Sequence, residues 1–180
     1  MLRPHVLAFC LGLPLLSCAS TTPPPLRVVD CTQGAYCRTF HEWPEPSWSK
    51  KHEALYWRGV RSILREMTCG RMVPKGRKLA YVADDELSVS CANSHAQVRH
   101  VKDRDDGKRL LNAGRIDYVV EFERADASNV NGGIQVPLSL SYYGRARRAG
   151  ADPRLEEVDS YLILQTDTMS EVRLVSRAAL

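Results

Sequence analysis

No stretch of this chain is long and apolar enough to cross a bilayer as a helix. The longest apolar run, Val6 to Leu16, is eleven residues, where a span needs about 20. No repeat at solenoid spacing is present. An excess of one charge is missing as well: 25 Lys and Arg face 21 Asp and Glu, for a net +4. That balance argues against nucleic-acid binding, which calls for a strongly basic face. The patterns of metal sites are absent too. Cys31, Cys37 and His41 depart from the Cys pairs two to four residues apart that structural zinc uses. His95 and His100 lie five apart, off a shared helical face. Asp84, Asp85 and Glu86 are consecutive at a turn and match no calcium loop. No metal and no cofactor are expected.

The amino terminus carries the clearest signal. Met1-Leu2-Arg3-Pro4-His5 has one certain positive charge, and the apolar run follows it. Gly12 and Pro14 weaken that run as a buried helix. A basic start, an apolar stretch of this length and small residues after it form the pattern of a secretory signal peptide. Two processing routes are open. Cleavage after Ala19 would release a soluble protein. Alternatively, Leu15-Leu16-Ser17-Cys18 resembles the bacterial lipobox. That resemblance implies a lipoprotein: the Cys18 thiol takes a diacylglycerol, the chain is cut before it, and the new amine is acylated. Two or three acyl chains anchor firmly where one is marginal. Ala19, in place of an aspartate after the cysteine, implies the outer membrane, with the domain in the periplasm or at the cell surface. Ala19 to Leu26, with three consecutive prolines, reads as an extended spacer. The expected organisation is a signal peptide at 1–17, a lipidated Cys18 with spacer at 18–26, and one α+β domain at 27–180.

Cys31, Cys37, Cys69 and Cys91 then remain, an even number in an oxidising compartment, which reads as two disulfides. Four cysteines allow three connectivities. Proximity favours Cys31–Cys37 and Cys69–Cys91. A catalytic Cys–His pair using His52 or His95 would need a free thiolate, which paired cysteines do not supply.

Within the domain, residues 27 to 46 carry two cysteines and two prolines without a clear period, and read as an irregular loop. Residues 47 to 67 read as a helix capped by Ser47 or Ser49, with Tyr56, Val60, Ile63, Leu64 and Met67 on one face. Gly70 is its expected stop. Residues 78 to 91 read as a hairpin turning at Asp84-Asp85. The polar stretch 92 to 114 reads as one or two helices, divided at Gly107 and ended by Gly114. Four strands follow, at 117–124, 134–143, 158–166 and 171–177, with Asn/Gly turn chemistry between the first two. Pro137 demands an edge position or a bulge.

Short connections predict a curved antiparallel sheet of about six strands, packed on one or two helices that lie on one face. The order, with "YVADDELSV" at 81–89 and the closing "SYLILQTDTMSEVRLVS", resembles the NTF2-like (cystatin-like) fold, in which a curved sheet wraps a helix into a cone. Enzymes of that fold place a His/Asp pair inside the cone.

Two further clusters are candidates for recognition. Arg145, Arg147 and Arg148 could meet anionic headgroups or lipopolysaccharide phosphates, with Lys50, Lys51 and Arg58 elsewhere on the surface. Trp43, Trp48 and Trp57, with Tyr56, could face a pocket or an envelope protein partner. The expected function is a lipid-anchored envelope protein with a non-catalytic binding or assembly role. The alternatives are a small NTF2-like enzyme and a purely structural envelope protein.

Overall fold

A computed structural model describes residues 25–32, 48–70, 72–84, 86–89, 91–125, 127–130, 133–146 and 151–180. Cys18, Cys37, His41, Trp43, Asp85, Arg147 and Arg148 lie outside the described residues, as do residues 1–24, where a signal peptide and most of a spacer are expected. The fold is α+β. Its elements run β1 (Arg27–Asp30), α1 (Lys50–Cys69), β2 (Lys78–Val82), β3 (Gln97–Val101), α2 (Arg104–Asn112), β4 (Tyr118–Arg124), β5 (Ser128–Val130), β6 (Gly133–Gly144), β7 (Arg154–Thr166) and β8 (Ser170–Ala179). One sheet, curled into a half-barrel, has the order β1-β8-β7-β6-β4-β2-β3, with β5 beside β6. Among the described residues no helix is long and apolar enough to cross a membrane.

Helix α1 starts where the capping chemistry puts it. The Ser49 hydroxyl faces the His52 backbone N–H, and the His52 ring returns the contact by accepting the Ser49 backbone N–H at 3.0 Å. This is a capping box with histidine in the place usually held by Glu or Gln. The helix closes at Gly70, whose N–H donates to Glu66 O. Val60, Ile63, Leu64 and Met67 are almost wholly buried, and each contributes about 1.5–3 kcal/mol by leaving water. They fill the concave face, against Val120, Leu140, Ile163 and Val172. Gly59 lets the helix come close to β7, since a Cβ there would sit 2.3 Å from Ile163 Cδ1.

The curved sheet and its helices match the expected fold class, and several local features differ, among them β1, which forms where a loop was expected. The sheet is mixed: β1 lies parallel to β8, and β2 lies parallel to both β3 and β4. The expected hairpin at 78–91 has only its first arm. Residues 86–89 of its second arm belong to no strand, and the Tyr81 hydroxyl takes both backbone groups of Leu87, accepting its N–H at 2.8 Å and donating to its carbonyl at 3.3 Å. Leu87 and Val89 alternate because they pack on the core, not because they belong to a ladder. The polar stretch 92–114 contains a strand, β3, before its helix.

Helix α2 also lies on the opposite sheet face from α1. Leu79, Tyr81 and Val120 belong to the α1 core, while their neighbours Ala80 and Val119 pack with Leu111 of α2. Gly107 continues this helix, and its missing side chain lets α2 settle on Val119, whose Cγ2 is 2.6 Å from where a Cβ would stand. Gly114, at φ +67, follows the helix end.

Pro137, expected at an edge position or a bulge, lies where one strand pairing gives way to another. It sits on central β6, where β4 gives way to β5. The pairing sum shifts by one residue between Arg124↔Leu138 and Ser128↔Gln135. Its carbonyl accepts from Ala125 N at 3.2 Å, so its missing N–H faces this interruption.

Candidate functional site

The expected site residues disperse. Cys69 and Cys91 form a disulfide, with Cα atoms 5.9 Å apart, that ties the last residue of α1 to the loop before β3. Cys31 extends the β1–β8 pairing by donating its N–H to Leu174 O. Arg145 is exposed, and its Nε donates to Leu111 O at 3.0 Å. That bond places a guanidinium over the carbonyl end of α2, a favourable place for positive charge.

His100 bonds Ala83 O through Nε2 at 2.7 Å. Among the described residues no group of three His, Cys, Asp or Glu side chains is arranged to hold a metal.

The described aromatics do gather. Trp48 and Trp57 both donate from their indole N–H to the Glu53 carboxylate. Arg124 pairs with the same carboxylate at 2.9 Å and lies 4.5 Å above the Trp48 ring. Burial pushes the Tyr56 hydroxyl up to about 12. Trp48 stacks on His52, whose Nε2 has no partner among the described residues.

A larger feature opens where the concave face runs past α1. There the inward positions of β7 change from Ile163 to Tyr161, Asp159 and Glu157, and those of β8 from Val172 and Leu174 to Arg177. This polar end borders a cleft of about 670 Å³. One wall is apolar, made by Met72, Val73 and Pro74 with Leu79. Tyr118 and Tyr142 stand edge to face between the walls, 6.3 Å apart. The other wall carries Arg154, Glu156, Glu157 and Arg177, and Arg77 closes the rim.

Asp159 organises the inner end of this cleft. It is wholly buried. Arg177 donates to it twice, from Nε to Oδ1 at 2.8 Å and from Nη2 to Oδ2 at 2.9 Å. The Tyr142 and Tyr161 hydroxyls donate to Oδ2 at 3.3 and 3.2 Å. Burial, and then the Asp159 charge, hold Tyr142 far above the usual tyrosine range. Tyr161 is raised first by burial and then by Tyr142. Hydrogen bonding to Asp159 raises Arg177. Arg177 also reaches Glu157 Oε1 at 2.9 Å. The Glu157 carboxyl is itself raised, by burial and by the neighbouring Asp159 charge. One guanidinium therefore serves two carboxylates.

Two bulges shape this wall. Between β6 and β7 the register passes from Tyr142↔Glu157 to Tyr143↔Leu155, leaving Glu156 without an opposite residue. Between β7 and β8 it passes from Ser160↔Ser176 to Tyr161↔Leu174, leaving Val175 extra. A bulge re-aims the side chains around it, and both Glu156 and Glu157 line the cleft. The Glu156 carboxylate lies over Gly144, where a Cβ would meet Oε1 at 2.3 Å.

None of these cleft residues was a sequence-level candidate. The available signal was Asp159 itself, a charge at an inward position between Glu157 and Tyr161, in register with Arg177 on the next strand. No protein family, curated protein or solved structure matches this chain.

Proposed function

We propose that this is a lipid-anchored protein of the cell outer membrane, held through Cys18, whose single domain binds a ligand without transforming it. The 670 Å³ cleft carries the binding part of this reading. Its size falls in the range of small-molecule sites, and it joins an apolar wall to a few fixed polar groups, as such sites do. The anchoring part rests on the lipobox-like Leu15-Leu16-Ser17-Cys18. The Cys69–Cys91 bridge supports an oxidising compartment.

A second reading, a small enzyme with a polar pair inside the cone, draws on Asp159 lying among two tyrosines and an arginine. It ranks below binding for two reasons. Both Asp159 oxygens are taken by fixed partners, and α1 fills most of the concave face. Asp159 is placed to hold Tyr142 still rather than to meet a substrate.

The deciding experiment is the intact mass of the protein extracted from membranes, with and without reduction and alkylation. A chain starting at Cys18 with three acyl groups supports the reading. A lipid-free chain starting at Ser20 overturns the anchor and makes the protein soluble and secreted.

A further inference from the structure

The cleft's charges do not balance, and the imbalance has a sign. Arg177 is shared between Asp159 and Glu157. Arg154 donates from Nη2 to Leu180 O at 3.1 Å. Arg77 lies 3.9 Å from Asp117 and 5.7 Å from the centre of the Tyr118 ring. The Glu156 carboxylate, by contrast, has no hydrogen-bond or ion-pair partner among the described residues, although the bulge turns it into the cleft. Among the charged side chains that line the cleft or are ion-paired to one that does, Asp117, Glu156, Glu157 and Asp159 oppose Arg77, Arg154 and Arg177. Four carboxylates face three guanidiniums. The missing charge is positive, and it is missing beside the Tyr118–Tyr142 pair and opposite the apolar wall.

We propose that the cleft binds a small amphipathic cation, a protonated amine joined to an apolar or aromatic body. The ammonium would take up position at Glu156 and Glu157. The body would lie against Met72, Val73, Pro74 and Leu79, beside the Tyr118–Tyr142 pair. The Gly144 backbone leaves the space in which the Glu156 carboxylate rests. An anionic ligand would have to compete with Asp117 for Arg77, and with Asp159 and Glu157 for Arg177. This inference rests on the binding reading above and specifies its ligand class.

Three probes of similar shape separate the two ideas: phenethylammonium, 3-phenylpropanoate and 2-phenylethanol. Each is titrated into the isotope-labelled domain while amide resonances are followed by NMR. The expected result is that phenethylammonium alone shifts Tyr118, Tyr142, Glu156 and Glu157. Its Kd should rise about tenfold, the worth of one exposed ionic contact with its hydrogen bond, in E156Q. The Glu156 carboxylate makes no hydrogen bond or ion pair among the described residues, so E156Q should keep the wild-type fold, and the dispersion of the same spectra reports whether it does. If the carboxylate or the alcohol shifts these residues as strongly as the amine, the cation inference falls and the binding reading stands. If none of the three shifts them even at millimolar concentration, both fall.

Discussion

Asp159 and Arg177 stand directly opposite each other on β7 and β8, joined by two parallel hydrogen bonds of 2.8 and 2.9 Å. Such a fork is the strong form of a charge-assisted contact, and here the carboxylate is wholly buried. D159A should lower stability by about 3–5 kcal/mol, because Tyr142 and Tyr161 lose their buried acceptor and Arg177 keeps only Glu157. Urea denaturation reads the change. A loss within the range of an ordinary surface substitution would mean that water replaces the carboxylate.

Glu157 gives a pH dependence of known sign. Burial and the Asp159 charge raise its carboxyl above the ordinary value of 4.5, so the folded chain holds a proton that the unfolded chain releases. Between those two values the native state binds more protons, and stability falls as pH rises. E157Q carries no such proton. Thermal melts from pH 4.5 upward through the mildly acidic range should show a smaller decline for E157Q than for the parent. A steeper decline in the variant would contradict the assignment.

The Cys69–Cys91 bridge closes a loop with a sequence separation of 22. On the chain-entropy account its loss costs about 3 kcal/mol. The double variant C69S/C91S should therefore melt several degrees lower under oxidising conditions. With reductant present, the parent should approach the variant.

Gly59 and Ile163 test how tightly α1 seats on β7. A methyl at position 59 would stand 2.3 Å from Ile163 Cδ1, a wholly buried atom. G59A should destabilise by about 1–3 kcal/mol through overpacking. I163V removes that very atom, so G59A/I163V should lose less than the sum of its parts. A double-mutant cycle measures the coupling, and strict additivity would show that the helix shifts instead.

The elements best read from sequence are those whose partners lie close along the chain. Helix α1 shows its buried face as Tyr56, Val60, Ile63, Leu64 and Met67, and its ends as Ser49 and Gly70. β6, β7 and β8 are neighbours joined in succession, so alternation and short turns suffice to find them. β1 and β3 were not legible, for the opposite reason. Each is short and half exposed, and each owes its strand character to a parallel partner distant in sequence: β8 for the first, β2 for the second. Leu87 and Val89 misled because alternation reports burial, and a tyrosine hydroxyl can satisfy the backbone that a ladder would otherwise take. The cleft was hidden by its two bulges. A period of two places Glu156 and Glu157 on opposite faces, and only the three-dimensional register shows an extra residue bringing both to one wall.

The parallel seat of β1 on β8 has a mechanical consequence. Leu26 is buried and donates its N–H to Ser62 Oγ at 2.8 Å, and at the other end of the strand Cys31 donates to Leu174 O. Tension directed along the strand from ahead of Leu26 would load the Arg27–Asp30 contacts together, in shear, instead of peeling them one by one. Resistance to such a pull is set by an unfolding rate, not by an equilibrium stability. The four residues that looked like loop thus form a clamp between the domain and whatever draws on the chain ahead of it.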